Sequence, residues 1–290
     1  MSDGWLFVDT EKKLDRARRE IGAAATVGID TEYDSLRYFR EKLCLIQIST
    51  PAFTYLLDPL DSLDISFIGE VCGDPRVVKV LHAGVNDIRL MNRDFGFTFT
   101  NIFDTERAGA ILGSARLSLS SLLEDFLGVA LSKRKHLQRS RWDRRPLTGE
   151  QLSYAARDTV YLIELYNVLM DLLDRARLDE KARTSFSAVA AARWSDKKFD
   201  SRGYMRVRGA DDLDDRGRRC LQRLYRWRFH KARKTDKPRF MLLSDHDLVA
   251  LAGSDISTIE DLAGMTILSP QKVAQFGAEL VGLLAETDGT

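Results

Sequence analysis

Apolar residues in the first hundred positions come in short runs broken by polar turns, and from about residue 104 they recur at helical spacing. Trp5-Leu6-Phe7-Val8 predicts a short strand. Thr10 then stands as N-cap to a charged amphipathic helix, Glu11 to about Ile21, with Leu14, Ala17 and Ile21 on one face. Ala25 to Glu32 predicts a central strand whose apolar run ends at Asp30. Leu43 to Ile48 and Thr54 to Leu57 predict the next two strands, with Thr50-Pro51-Ala52 turning between them. A helix from Ile65 to Cys72, a strand from Val77 to Leu81, a helix beginning near Val85 and a short strand at Asn101-Ile102-Phe103 follow. Thr148-Gly149-Glu150-Gln151 fits a capping box, with Pro146 just upstream, and opens one long helix to about Leu173. Periodicity then weakens as far as Ala210, and Ser201-Arg202-Gly203 and Arg208-Gly209-Ala210 read as linker. From Asp211 four or five helical segments are separated by Asp236-Lys237-Pro238, Gly253-Ser254-Asp255 and Ser269-Pro270.

Strands alternating with helices around an apolar central strand indicate an α/β sheet covered on both faces. The meander from residue 25 to 57 implies antiparallel pairs, so the sheet is mixed. No Gly-rich phosphate loop follows the first strand, which argues against a dinucleotide fold and against a nucleotide cofactor. The chain divides into a first domain over 1–180, a linker over 181–210 and a small helical domain over 211–290, whose length suffices for independent folding.

With 44% hydrophobic and 30% charged residues, the 290-residue chain has the composition of a globular protein. No stretch reaches the roughly 20 apolar residues that span a bilayer, and the N-terminus lacks a secretion signal, so no membrane association is expected. Cys44, Cys72 and Cys220 are widely spaced in apolar surroundings, which points to reduced thiols in the cytoplasm. The net charge of +1 hides an uneven distribution. Lys133 to Arg145 holds seven basic residues and one acid, and Arg216 to Arg239 holds eleven and one. The last fifty residues hold eight acids and one Lys. Local basic stretches of this kind meet polyanions.

The chemistry centres on Gly28-Ile29-Asp30-Thr31-Glu32. In a strand, Asp30 and Glu32 project from one face, and carboxylates held so close share a cation or a proton. A strand end running into a polar turn would also carry such acids, so further ligands must come from elsewhere. Two other stretches offer them. Val80-Leu81-His82-Ala83-Gly84-Val85-Asn86-Asp87 passes from a buried strand through a turn into a helix, placing an acid at the end of the sheet, where it could also cap the helix. In the long helix, Tyr154 and Asp158 lie one turn apart beside an apolar face of Leu152, Ala155, Tyr161, Leu162 and Leu165. A carboxylate near the core calls for a cation beside it, whereas a surface Asp158 would simply pair with Arg157 or Arg144.

Asp30-Thr31-Glu32, Asp87 and Tyr154-xxx-Asp158 resemble, in order and spacing, the three motifs of the tyrosine-bearing branch of the DEDD exonuclease superfamily. The flanks resemble ribonuclease D in particular: Arg40-Glu41-Lys42-Leu43-Cys44-Leu45-Ile46-Gln47, His82-Ala83, Asn101-Ile102-Phe103-Asp104-Thr105 and Trp142-Asp143-Arg144-Arg145-Pro146-Leu147. Residues 211–290, especially Leu221-Gln222-Arg223-Leu224-Tyr225-Arg226-Trp227-Arg228, look like the helicase-and-ribonuclease-D C-terminal (HRDC) domain. Where the family often has an acid before the Trp, this chain has Arg141. The resemblance implies a ribonuclease H-like sheet and a 3′→5′ exoribonuclease that uses two divalent ions, Mg or Mn, and releases nucleoside 5′-monophosphates. Asp30 would bridge the ions, Glu32 and Asp158 would complete the first, Asp87 would hold the second partly through water, and Tyr154 would orient the attacking water. The implied partner is RNA with a 3′ end, transfer RNA precursors and other small stable RNAs included.

For backbone contact the basic stretches supply Lys133, Arg134, Lys135, Arg139, Arg141, Arg144 and Arg145 near the site. In the C-terminal domain, Arg216, Arg219, Arg223, Arg226, His230 and Arg233 form a stripe opposite Leu213, Cys220, Leu221 and Leu224, with the four Arg up to Arg226 as the contacts. A solvated charged surface would look the same. Two other functions are consistent with the motifs. One is a DNA exonuclease, since nothing in the chain announces recognition of a 2′-hydroxyl. The other is a nuclease-like binding protein, which would lack a ligand, whereas all four acids are present.

Overall fold

The computed structural model describes residues 4–131 and 135–285. Its first unit comprises Met1–Asp34 and Glu41–Ser195. There β1 (Trp5–Val8), β2 (Thr26–Asp34), β3 (Lys42–Ser49), β4 (Thr54–Leu57), β5 (Val78–Leu81) and β6 (Ile102–Asp104) form one sheet in the order β1-β4-β3-β2-β5-β6. β3 runs antiparallel to both β2 and β4, and the remaining pairs are parallel. The mixed sheet expected from the meander is therefore the sheet observed.

Register assigns the faces. Asp30 stands opposite Gln47, Glu32 opposite Leu45 and Gln47 opposite Leu56, so these side chains share one face. Val27, Ile29, Ile46, Ile48, Tyr55 and Leu57 look the other way. They pack in a core with Leu14, Ala17 and Ile21 of α1 (Glu11–Gly22), Phe67 and Ile68 of α2 (Phe67–Gly73), and Ile88 and Met91 of α3 (Val85–Phe95). On the carboxylate face, Leu45 and Leu56 meet Trp142, Ala155 and Ala156. Further along, Val80 and Phe103 meet α4 (Thr105–Ile111) and α5 (Leu119–Leu127). The short α6 (Lys135–Gln138) precedes the Trp142 segment. With both faces covered, Val27–Ile29 of β2 and Leu43–Ile46 of β3 are unbroken apolar runs.

The helix predicted over 149–173 is two helices, α7 (Gly149–Val160) and α8 (Leu162–Arg175), parting at Tyr161. Buried Thr159 accepts from Ser49 Oγ at 2.7 Å and turns its own hydroxyl toward the Ala156 carbonyl, which loosens the helix just before the break. A Cβ on Gly28 would lie 3.1 Å from both the Thr159 carbonyl and Leu162 Cβ. Glycine at that position lets the α7–α8 junction rest directly on β2 and bring Asp158 over Asp30. The stretch expected as linker from 181 to 210 also differs. Most of α9 (Asp179–Ala190) falls in it, and Ala182, Phe186 and Val189 pack against the first unit. Its Ala- and Ser-rich sequence hides the amphipathic pattern.

The second unit comprises Ser35–Arg40 and Asp196–Thr290. Five helices, α10 (Asp215–Thr235), α11 (Arg239–Leu242), α12 (Asp245–Ala252), α13 (Ile259–Gly264) and α14 (Pro270–Ala285), enclose a core around Leu221, Leu224, Phe229, Leu248, Phe276 and Leu280. Capping boxes at Ser244 and Thr258 start α12 and α13. Phe39 belongs to this core. Its ring meets Phe229 edge-on at 5.4 Å, its N–H donates to the Asp236 carbonyl, and its carbonyl accepts from Lys197 Nζ at 2.7 Å. Among the described residues, no helix is long and apolar enough to cross a membrane.

Candidate active site

Three elements bring the predicted residues together. β2 presents Asp30 and Glu32, with a β-bulge just after Glu32, where the register passes over Cys44. The first turn of α3 supplies Asp87 and α7 supplies Tyr154 and Asp158. The turn before α3 is tight. Ala83 adopts φ 53°, a left-handed conformation disfavoured for a residue with a side chain. A Cβ on Gly84 would come within 2.6 Å of Leu81. Fully buried Asp104 holds this turn, accepting from the N–H of Ala83 at 3.3 Å and of Gly84 at 2.9 Å. Thr31, on the opposite face of β2 from its two acidic neighbours, donates its hydroxyl to Asp87.

The four acids act on one another. Burial raises Asp30 well above the ordinary carboxylate range, and the charges of Asp87 and Asp158 raise it further. Glu32 is raised well above its usual value by burial and then by Asp30, Asp158 and Asp87. Asp87 is pushed up to about 6, burial outweighing the Thr31 hydroxyl, and burial pushes Asp158 to about 7 against the hydrogen bond from Tyr154. The Tyr154 phenol is raised by burial and by the charges of Asp158, Glu32 and Asp30, so it stays protonated and donates to Asp158.

As the side chains stand, no three His, Cys, Asp or Glu among the described residues form a ready-made ion cage. Asp87 is turned to Thr31 and Asp158 to Tyr154. The donor set nonetheless fits hard divalent ions: four carboxylates in one place, Glu32 and Asp87 buried and Asp30 and Asp158 partly so, the β2 pair raised by the charges of the others, with no thiolate or imidazole among them.

The basic residues have more varied surroundings. Lys133, Arg134 and the Lys135 side chain lie outside the described residues. Arg139 and Arg144 are exposed, and Arg141 holds Asp143 with two bonds of 2.7 Å. Arg145, counted above as a phosphate contact, is occupied internally. Its five N–H groups reach both carboxylate oxygens of buried Asp58 and the carbonyls of Cys44, Trp142 and Arg144. On α10, Arg216 pairs with Asp255 at 2.6 Å and Arg223 donates to the Leu283 carbonyl at 2.9 Å, while Arg219 and Arg226 are exposed. Sequence reasoning quoted Thr31 and Asp104 within the motifs but gave them no role, because a threonine on a strand and an aspartate before a helix are ordinary in those places.

A family model described as a 3′-5′ exonuclease matches residues 6–174, and one described as the HRDC domain matches 217–284. Ribonuclease D of Desulfotalea psychrophila is 32% identical over 277 residues, covering 94% of this chain and 73% of that protein. An exosome complex component 10 homolog of Drosophila melanogaster is 31% identical, but the chain spans only 28% of its length. Among solved structures, Escherichia coli RNase D superposes with a TM-score of 0.71 at 27% identity over 97% of this chain and 74% of that one. The catalytic core of RRP6 from Trypanosoma brucei reaches 0.90 at 23% identity, covering all of this chain and 82% of that one, a likeness of fold. Motif order, site composition and these likenesses agree: the chain belongs to the ribonuclease D family of 3′→5′ exoribonucleases, with an exonuclease domain followed by an HRDC domain.

Proposed function

We propose that this exoribonuclease hydrolyses the last phosphodiester at an RNA 3′ end with two divalent ions, Mg or Mn, held by Asp30, Glu32, Asp87 and Asp158, and releases nucleoside 5′-monophosphates. The observation that carries this reading is the joint elevation of four acids in one site. Such a cluster disfavours its own full ionisation, and divalent charge relieves it. When bound, the ions lower the pKa of a water and neutralise charge on the phosphate. The rest falls to the chain. Tyr154 keeps its proton, steadies Asp158 and orients the attacking water without serving as its base. Thr31 and the turn held by Asp104 fix Asp87. The face covered by Trp142, Ala155 and Ala156 keeps bulk water from the buried side of the carboxylates.

The substrates in this reading are transfer RNA precursors and other small structured RNAs, met in the cytoplasm, where three free buried cysteines stay reduced. The test is to incubate the purified protein with a 3′-extended transfer RNA precursor and with matched single RNA and DNA strands, in Mg²⁺, Mn²⁺ or chelator. Stepwise shortening of the RNAs from the 3′ end, in metal only, is expected. Equal digestion of the DNA strand would favour the DNA reading, and turnover in excess chelator would overturn the two-ion mechanism.

We also assign Arg219 and Arg226 of α10 to the RNA backbone, because both are exposed on the basic stripe. Replacing both by Gln should make the logarithmic salt dependence of RNA binding shallower by roughly one to two units. An unchanged slope would remove them from the RNA path.

A further inference from the structure

Gln47 is 0% exposed, and neither its amide oxygen nor its amide nitrogen has a hydrogen-bond partner. Leaving both ends of an amide unpaired in the interior costs a few kcal/mol, and native proteins seldom tolerate it. The register states what surrounds it. Gln47 stands directly opposite Asp30 on β2 and opposite Leu56 on β4, with Leu45 and Ser49 next on the same face of its own strand. The Ser49 hydroxyl is engaged with Thr54 and Thr159, each at 2.7 Å. Leu45 and Leu56 offer no polar atom, and Ala155 and Ala156 of α7 pack on the same cluster. Trp142 of that cluster has an unpaired indole N–H of its own, a donor that cannot accept from the amide, whereas Asp30 stands directly across as an acceptor, and side chains directly opposite in an antiparallel pair have Cβ atoms about 4.5–5.5 Å apart.

We propose that Gln47 is a positioning residue of the exonuclease site, its amide holding the Asp30 carboxylate, directly or through one buried water, in the orientation the divalent ions require. The inference rests on the two-ion reading of Asp30. A bridging carboxylate must present both oxygens outward at once. A neutral amide underneath it donates a hydrogen bond and adds no charge to a site already crowded with acids. Supports of this kind around ion ligands typically change affinity or activity by about 10–100-fold. A Glu here would add a fifth negative charge, and a Leu would leave the carboxylate free to rotate.

Gln47→Met keeps the length and removes the amide. If the amide serves only Asp30, the variant keeps the wild-type melting temperature or exceeds it, because an unpaired polar group has been replaced by an apolar one. Its affinity for Mn²⁺, titrated calorimetrically without RNA, should fall about tenfold or more, and kcat should fall while KM for RNA holds. Gln47→Leu repeats the measurement with a shorter apolar side chain. Wild-type affinity for Mn²⁺ in both variants would overturn the role of Gln47. A melting temperature lowered in both variants, with Mn²⁺ affinity lost only in proportion to unfolding, would also overturn it by showing the amide bonded elsewhere. A wild-type protein that binds no Mn²⁺ would instead overturn the ion reading itself.

Discussion

Asp158→Asn is expected to lower turnover on a 3′-ended RNA at least about a thousandfold, some 4 kcal/mol of barrier, while raising the melting temperature in excess chelator. The two effects have one origin. Burial raises the Asp158 carboxyl to about 7. An acid raised on folding supports the native state fully below its unfolded value near 4, and that support is lost as pH rises through its native value. At pH 8 without metal the native protein therefore holds a charge it disfavours, and Asn removes it without changing shape. Each kcal/mol relieved shifts the melting temperature by roughly 2–4 °C. In chelator the wild type should lose stability between about pH 4 and 7, and the variant should lose less. Turnover near the wild-type level would end the assignment of Asp158, and a lowered melting temperature in chelator would refute the electrostatic account.

Arg145→Ala is the second large effect, and it concerns stability. All five N–H groups of Arg145 are engaged, and the Asp58 side chain they hold is 5% exposed. Removing the cation strands a buried carboxylate and frees three carbonyls, which by analogy with broken buried pairs costs about 3–5 kcal/mol. At 2–4 °C per kcal/mol the melting temperature should drop on the order of 10 °C. Lys cannot reproduce the planar fork, so Arg145→Lys should recover little. A drop of under about 2 °C would return Arg145 to the phosphate contacts.

Arg145 also shows where a sequence stops being legible. One more Arg in a run of seven basic residues looks like its neighbours, and only the fold brings Asp58, 87 positions earlier, beside it. The same holds for Gln47, which interrupts an apolar run just before Ile48 without sign of a partner, and for Thr31, whose hydroxyl bond depends on where α3 begins. The helix break at Tyr161 was hidden because the hydroxyl that engages Thr159 beside it, that of Ser49, lies on β3, 110 positions earlier. What could be read directly was local. The Thr10 cap and the Thr148 box hold as expected, and the alternation along β2 put Asp30 and Glu32 on one face. The spacing of four in α7 put Tyr154 beside Asp158. The four acids were visible because their chemistry requires acids, whereas the residues that support them could be any polar type.

The placement of Phe39 has a consequence for synthesis. It lies between two strands of the sheet but fills the core around Phe229, 190 positions later. A ribosome adding about 5–20 residues per second leaves that ring waiting roughly 10–40 s for its partner. The segment Ser35–Arg40 is therefore made early but cannot complete its core until α10 emerges.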